Sequence, residues 1–146
     1  MENVAEMLNR HEGRRKELYN DATGGRVRPV DGNITIGVGH NLSIPMDEDL
    51  IDIILNYDIR KATRETVKIF PDLYSYGNKR GSVLVCLMFN VGPGSFRTFT
   101  KLIEAVKAKD WGRAADELKD SDWYTQVDKS PGDGKGRGDE MVSMLR

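Results

Sequence analysis

The stretch NRHEGRRKELYND, residues 9–21, contains the point at which the chain passes from a helix into a turn. Upstream of it, apolar residues recur at helical spacing, and Glu12 falls inside the apolar arc of the helical wheel. Gly13 then supplies a helix stop. We therefore predict a first helix over residues 3–12 that ends in a carboxylate on its apolar side, followed by a turn that carries Asp21.

A small antiparallel sheet is predicted for residues 17–40. Three short runs of alternating or β-branched residues are separated by the turn dipeptides Gly24-Gly25 and Asp31-Gly32. The last run, residues 34–36, continues into Gly37-Val38-Gly39, where bare backbone would allow a ligand to approach closely.

From residue 43 the pattern becomes helical. We predict a long helix with Ser43 as its N-cap that stops before Phe70-Pro71. The almost continuously apolar residues 79–90 predict a helix buried on most sides, which Gly92-Pro93-Gly94 breaks. The other predicted helices cover residues 96–108, 111–119, 121–126 and 137–146.

This order of elements predicts an α+β fold in which residues 1–146 form a single domain. A β-hairpin lobe at about residues 13–42 would lie beside a helical lobe built from residues 1–12 and 43–146. Clefts between lobes are common ligand sites, so we expect the functional groups there.

Composition excludes several classes of protein. Apolar residues make up 38% of the chain and charged residues 31%, which is typical of a soluble globular domain. The net charge of −1 provides no general attraction to nucleic acid, and the basic residues are not interleaved with aromatic ones. No apolar run reaches the length of a membrane span.

The single cysteine, Cys86, lies in the apolar run SVLVCLMF and is expected to be a buried, inert thiol. It cannot form a disulfide within the chain, and no spacing of Cys and His indicates a zinc site. We expect neither a metal nor another cofactor.

Two carboxylates and a hydroxyl suggest a hydrolytic site. Cleavage of a glycosidic bond needs a protonated acid beside the leaving oxygen and a second group that manages a water on the opposite face of the sugar. Partly buried Glu12 suits the first role, solvated Asp21 the second, and Thr35 could hold the water against Asp21. On the residues alone, an ion pair at the helix end is the simpler interpretation of Glu12.

A longer set of motifs runs from about residue 5 to the C-terminus. Its segments are HEG (11–13), LYND with TG (18–24), TIGVGHNL (35–42), FNVG (89–92), GSFRTFTKL (94–102), DWGRAADEL (110–118), DWYTQV (122–127) and RGDEMVSML (137–145). In this order the motifs resemble those of the phage-type lysozymes, the muramidase endolysins of glycoside hydrolase family 24.

The resemblance implies a catalytic triad of Glu12, Asp21 and Thr35. Glu12 would be the general acid, while Asp21 and Thr35 would position or activate the attacking water. Arg137 matches the arginine that pairs with the catalytic acid in this family.

Substrate contacts are also implied by the resemblance. Gly39 and His40 would flank the glycan through backbone groups, and Phe89 and Asn90 would line the cleft. Two further saccharide contacts are implied at Asn41 and Glu117. For His40, a surface position without ligand contact is an equal alternative, and His11 beside the apolar arc is interpreted as structural.

The implied protein is an endolysin that hydrolyses the bond between N-acetylmuramic acid and N-acetylglucosamine in peptidoglycan. We expect a monomer made in the host bacterial cytoplasm and released at lysis through a separate holin-type pore, with no nucleic-acid partner and no membrane insertion of its own. Two alternatives stay open: a lytic transglycosylase acting on the same bond, and a non-catalytic glycan-binding module of a phage structural protein.

Overall fold

The computed structural model describes residues 4–19, 23, 25, 26, 34–127 and 136–146. It contains a mainly helical body and one two-stranded antiparallel sheet, which confirms the predicted α+β class. The strands are β1 (Thr35–Ile36) and β2 (His40–Asn41). The helices are α1 (Val4–Glu12), α2 (Glu48–Ile69), α3 (Asn78–Phe96), α4 (Thr100–Lys107), α5 (Trp111–Lys119), α6 (Asp122–Val127) and α7 (Arg137–Leu145), with a 3-10 turn at Leu73–Tyr76.

The hydrophobic core lies among the helices. α3 occupies its centre, since residues 81–88 are all buried and this helix packs on α1, α2 and α7. The large side chains with almost no exposed surface include Leu8, Phe70, Leu84, Leu87, Phe96, Leu102, Leu118, Met141 and Leu145. Cys86 is fully buried among them, and burial raises the pKa of its thiol to about 12, so the thiol stays protonated and inert as predicted.

The sheet is a tight hairpin, in which Thr35 pairs with Asn41 and Ile36 with His40. The turn between the strands needs left-handed backbone at Gly37 (φ 60°) and Gly39 (φ 73°), which glycine adopts without a Cβ clash. The returning strand β2 was not foreseen in the sequence. Before the hairpin, Tyr19 and Arg26 form an isolated antiparallel bridge, whereas Gly24 of the predicted turn lies outside the described residues.

The predicted start of the long helix is wrong. α2 begins at Glu48 with Asp47 as its N-cap, whereas the Ser43 hydroxyl accepts the backbone N–H of Ile34 at 3.0 Å. Ser43 is therefore used to close the hairpin, an alternative that short hydroxyl side chains offer to the backbone. The predicted stop before Phe70-Pro71 is confirmed.

The break within α3 occurs where it was predicted. Gly92 has φ 74° and interrupts the helical geometry, and Pro93 follows it, so residues 78–96 are two helical pieces joined by a kink. α4 then begins at Thr100, four residues later than the predicted residue 96.

The start of α7 is held closely against α6. A Cβ on Gly138 would lie 2.8 Å from Cδ2 of Tyr124 and 3.3 Å from Cγ2 of Val127. The Tyr124 hydroxyl also donates to Asp139 at 2.7 Å. The close approach of the two helices thus depends on a residue without a side chain, directly next to Arg137.

Gly138→Ala is expected to lower the free energy of unfolding by about 1–3 kcal/mol, because a methyl group that overlaps Tyr124 forces the helices apart. Gly112→Ala on α5 is the matched control, since its Cβ would meet only Asp110 Oδ1 at 3.8 Å. The control should be neutral or gain up to about 1 kcal/mol from helix propensity. Urea unfolding of both variants measures the difference, and equal effects at the two sites would contradict the packing argument.

Candidate active site

Glu12 closes α1 and forms an ion pair with α7. Nη1 of Arg137 donates to Oε1 of Glu12 at 2.7 Å, across a sequence separation of 125 residues. The side chain of Glu12 is 30% exposed and that of Arg137 is 25% exposed, so the pair is half-buried at the surface of the helical body. Both the ion pair expected for a helix-end Glu12 and the pairing with Arg137 implied by the family resemblance are present.

The hairpin carries four of the predicted site residues. Thr35, Gly39 and His40 are exposed, and Asn41 is half-buried with its side-chain oxygen accepting the Ser43 N–H at 2.8 Å. His40 and Asn41 line a hollow of about 260 Å³ between the hairpin, residues 15–19 and the start of α2. Asp21, the second predicted carboxylate, lies outside the described residues.

The remaining sugar-contact candidates lie on two other helices. Phe89 lines a separate groove of about 280 Å³ between α2 and α3, to which Asp58 and Lys61 also contribute. The Asn90 amide donates to the Cys86 carbonyl within α3 at 3.1 Å. Glu117 lies on α5, with Oε1 3.9 Å from Nε of Arg113. Among the described residues, these two hollows have no lining residue in common.

A second cluster joins the same two helices as the Glu12–Arg137 pair. Nη1 of Arg10 donates to both carboxylate oxygens of Glu140 at 2.6 Å, and Nε2 of His11 lies 2.9 Å from Glu140 Oε2. The His11 side chain is only 4% exposed. This burial agrees with a structural role for His11. Its partner Glu140 was not indicated by the sequence, because it lies 129 residues away.

Burial and hydrogen bonding have opposite effects on the pKa of Glu140. Burial raises the pKa of the Glu140 carboxyl, but the hydrogen bonds from Arg10 and then His11 outweigh burial and leave the pKa below the usual value of 4.5. A carboxyl group whose pKa is lowered by folding stabilises the folded state at pH values above its unfolded pKa.

Glu140→Gln should therefore lower the free energy of unfolding at pH 7 by about 1–2 kcal/mol, because an amide replaces a charge-assisted acceptor. The difference from the wild type should shrink as the pH falls below 4.5 and vanish below the lowered pKa of Glu140. Chemical unfolding between pH 3 and pH 7 measures it. A difference that grows toward acid pH would show that Glu140 is not ionised in the folded protein.

The described residues contain neither a cluster of metal ligands nor a helix that could span a membrane. No three His, Cys, Asp or Glu side chains among them gather in a way that could hold a metal ion. None of the helices in this part of the chain combines the length and the apolar character of a membrane span.

Comparison with known proteins identifies the family. The model of the phage lysozyme family matches residues 9–137, which include Glu12, Thr35 and Arg137. "Probable T4-type lysozyme 2" of Dictyostelium discoideum is 26% identical over 156 residues, covering 86% of this chain and 87% of the relative. "Probable T4-type lysozyme 1" of the same organism is 24% identical, covering 85% and 86% respectively.

A phage protein is similar as well. "Pre-baseplate central spike protein Gp5" of Enterobacteria phage T4 is 26% identical over 172 residues, covering 97% of this chain but 27% of that protein. The similarity to it thus concerns about a quarter of a larger protein. Since the family model covers most of the chain, the chain belongs to the phage lysozyme family and is a glycoside hydrolase of the muramidase type.

Proposed function

We propose that the protein hydrolyses the β-1,4 bond between N-acetylmuramic acid and N-acetylglucosamine, with Glu12 as the general acid. The observation that carries this role is the half-buried Glu12–Arg137 pair at the end of α1. The pair leaves the Glu12 carboxyl group partly open to solvent while Arg137 of α7 holds it from one side. Membership of the phage lysozyme family supports the same assignment.

The geometry of the pair suits an acid. Arg137 donates to Oε1 of Glu12, so Oε2 is the oxygen that can carry the proton toward the leaving group. A carboxylic acid that donates through one oxygen can still accept the guanidinium bond with the other. As the glycosidic bond breaks, the carboxylate forms beside the Arg137 charge, which stabilises it.

Asp21 and Thr35 complete the proposal by positioning the attacking water. The Thr35 side chain is exposed on β1, where its hydroxyl is accessible to a water molecule. In an inverting reaction the two carboxyl groups stand roughly 6.5–9.5 Å apart, which leaves room for that water. Gly39, His40, Asn41, Phe89, Asn90 and Glu117 remain the proposed sugar contacts.

We place this activity in a phage endolysin that lyses the host cell. The enzyme would be a monomer made in the host cytoplasm that reaches peptidoglycan through a separate holin-type pore. Membership of the phage lysozyme family supports peptidoglycan as the substrate. Lysis of a phage host is the further part of this proposal.

The products of digestion test the reaction. Mass spectrometry of muropeptides from purified sacculi should show reducing N-acetylmuramic acid ends, because the proposed mechanism adds water across the bond. Anhydro ends would indicate lytic transglycosylation of the same bond by the Glu12 acid alone. Proton NMR of the first products should show the α-anomer if the reaction inverts.

The similarity to the central spike protein favours a second candidate, a peptidoglycan-binding module of a phage structural protein. In that case the chain should sediment with purified sacculi without releasing reducing sugar. Release of reducing ends by the isolated chain, lost in the Glu12 variant described below, selects the hydrolase.

A further inference from the structure

Two bridges join the end of α1 to the start of α7, and only one of them contains the proposed acid. Arg10, His11 and Glu12 are consecutive, whereas Arg137 and Glu140 are three residues apart and so lie on one face of α7. Glu12 meets Arg137 at 2.7 Å, and Arg10 with His11 meets Glu140 at 2.6 and 2.9 Å. The bridge to Glu140 therefore lies directly beside the Glu12–Arg137 pair.

The bridge to Glu140 is the more constrained of the two. The Glu140 carboxylate accepts from two side chains, one of which, His11, is almost completely buried at 4% exposure. An ionised carboxylate can only accept, so Nε2 of His11 carries a hydrogen atom. The other ring nitrogen, Nδ1, is buried and has no hydrogen-bond partner within the part of the chain that the structure describes. Glu140 is thus the group that orients the imidazole next to Glu12.

The charged and titratable groups around this bridge come from α1, α3 and α7. Arg10 and Glu12 face it from α1, and Arg137 from α7 itself. From α3, the buried thiol of Cys86 lies close enough that Glu140 and Glu12 add to the rise in its pKa to about 12, so it contributes no charge. Asp139 on α7 is bonded instead to the Tyr124 hydroxyl on α6.

We propose that Glu140 and His11 are positioning residues for the catalytic acid, and that they act by keeping α7 in the register that places Arg137 on Glu12. This inference rests on the role proposed for Glu12. Glu140 orders the last turn of α1 through His11 and anchors the first turn of α7, so its loss loosens the Arg137 guanidinium over the Glu12 carboxylate. A misplacement of about 1 Å at a reacting group can lower a rate by up to about 100-fold.

Glu140→Ala should lower kcat on soluble peptidoglycan fragments by roughly tenfold while KM changes by less than about twofold, because substrate binding does not use this bridge. Glu140→Gln keeps the shape of the side chain and one acceptor oxygen, so it should lower kcat by a smaller factor. It replaces the alanine variant in this test if that variant does not fold.

A double-mutant cycle with Arg137→Ala tests whether Glu140 acts through Arg137. In the Arg137→Ala background, removal of Glu140 should cause no further loss of kcat. Asp139→Asn is the matched control, since it also neutralises an acid in the first turn of α7 but one that is bonded to α6, where the amide oxygen can still accept from the Tyr124 hydroxyl. This variant should keep kcat within twofold of the wild type.

The outcomes separate the inference from the function on which it rests. If Glu12→Gln is inactive but both Glu140 variants keep kcat within twofold, the positioning role is wrong and the acid stands. Equal losses of kcat with and without Arg137, or an Asp139→Asn enzyme as slow as Glu140→Ala, would likewise overturn it. An active Glu12→Gln enzyme would contradict the acid itself. Nitrogen-15 NMR of the ring should show His11 protonated at Nε2 in the wild type, and a ring protonated at Nδ1 alone would also refute the bridge.

Discussion

Glu12→Gln is expected to lower kcat for peptidoglycan hydrolysis by about 10³-fold or more, because an amide cannot protonate the leaving oxygen. The fold should survive, since the amide oxygen can still accept the Arg137 bond that now reaches Oε1 at 2.7 Å. A half-exposed ion pair contributes little to stability, so the free energy of unfolding should change by less than about 1 kcal/mol. Turbidity clearing and release of reducing ends measure the activity, and circular dichroism measures the fold.

Glu104→Gln is the control for this variant. It removes one carboxylate from α4, where the side chain is 69% exposed and lies 3.6 Å from Arg113. Its activity should stay within twofold of the wild type. Retention by Glu12→Gln of more than a tenth of the wild-type rate would exclude Glu12 as the acid.

Phe70→Ala is expected to produce the largest loss of stability, about 3–5 kcal/mol, by leaving a cavity at the end of α2. Phe70 is fully buried and meets the edges of two aromatic rings, with centroid distances of 6.2 Å to Tyr76 and 6.1 Å to Phe96. The loss is a large part of the roughly 5–15 kcal/mol that stabilises a domain. For a chain of this length, the midpoint of thermal unfolding should fall by roughly 10 °C.

Tyr74→Ala provides the matched comparison, because Tyr74 lies in the next turn of the chain but is 70% exposed. Its effect should stay within about 0.5 kcal/mol. Calorimetry of the two variants measures the difference. A Phe70 variant as stable as the Tyr74 variant would mean that the aromatic cluster does not organise the junction of α2 and α3.

Local signals predicted most of the helical architecture. Glu12-Gly13, Phe70-Pro71 and Gly92-Pro93 mark ends or breaks because glycine and proline restrict the backbone of their own residue and its immediate neighbours. The wrong prediction of Ser43 as a helix N-cap arose because a local signal can serve two structures. A hydroxyl can cap a helix or close a turn, and the choice depends on where the Ile34 N–H lies.

The candidate site was predicted less completely than the fold. The motifs around Glu12, Thr35 and Arg137 predicted a catalytic acid and its partner, and the 2.7 Å ion pair agrees with the predicted pairing. The role of Glu140 had no local signal, because an acidic residue in the first turn of a helix is expected from the helix dipole alone.

By itself the sequence determined the helices, the glycine turns and the family, because these depend on residues that are close along the chain or on motifs in a preserved order. Only the tertiary structure decided that Arg10 and Glu140, 130 residues apart, meet beside Glu12 and Arg137. Hydrophobic burial packs α1 and α7 against α3 without direction, so the charged groups that end up in contact depend on how the two helices lie on α3. That packing depends in turn on shape at sites such as Gly138, where a missing side chain lets Tyr124 approach.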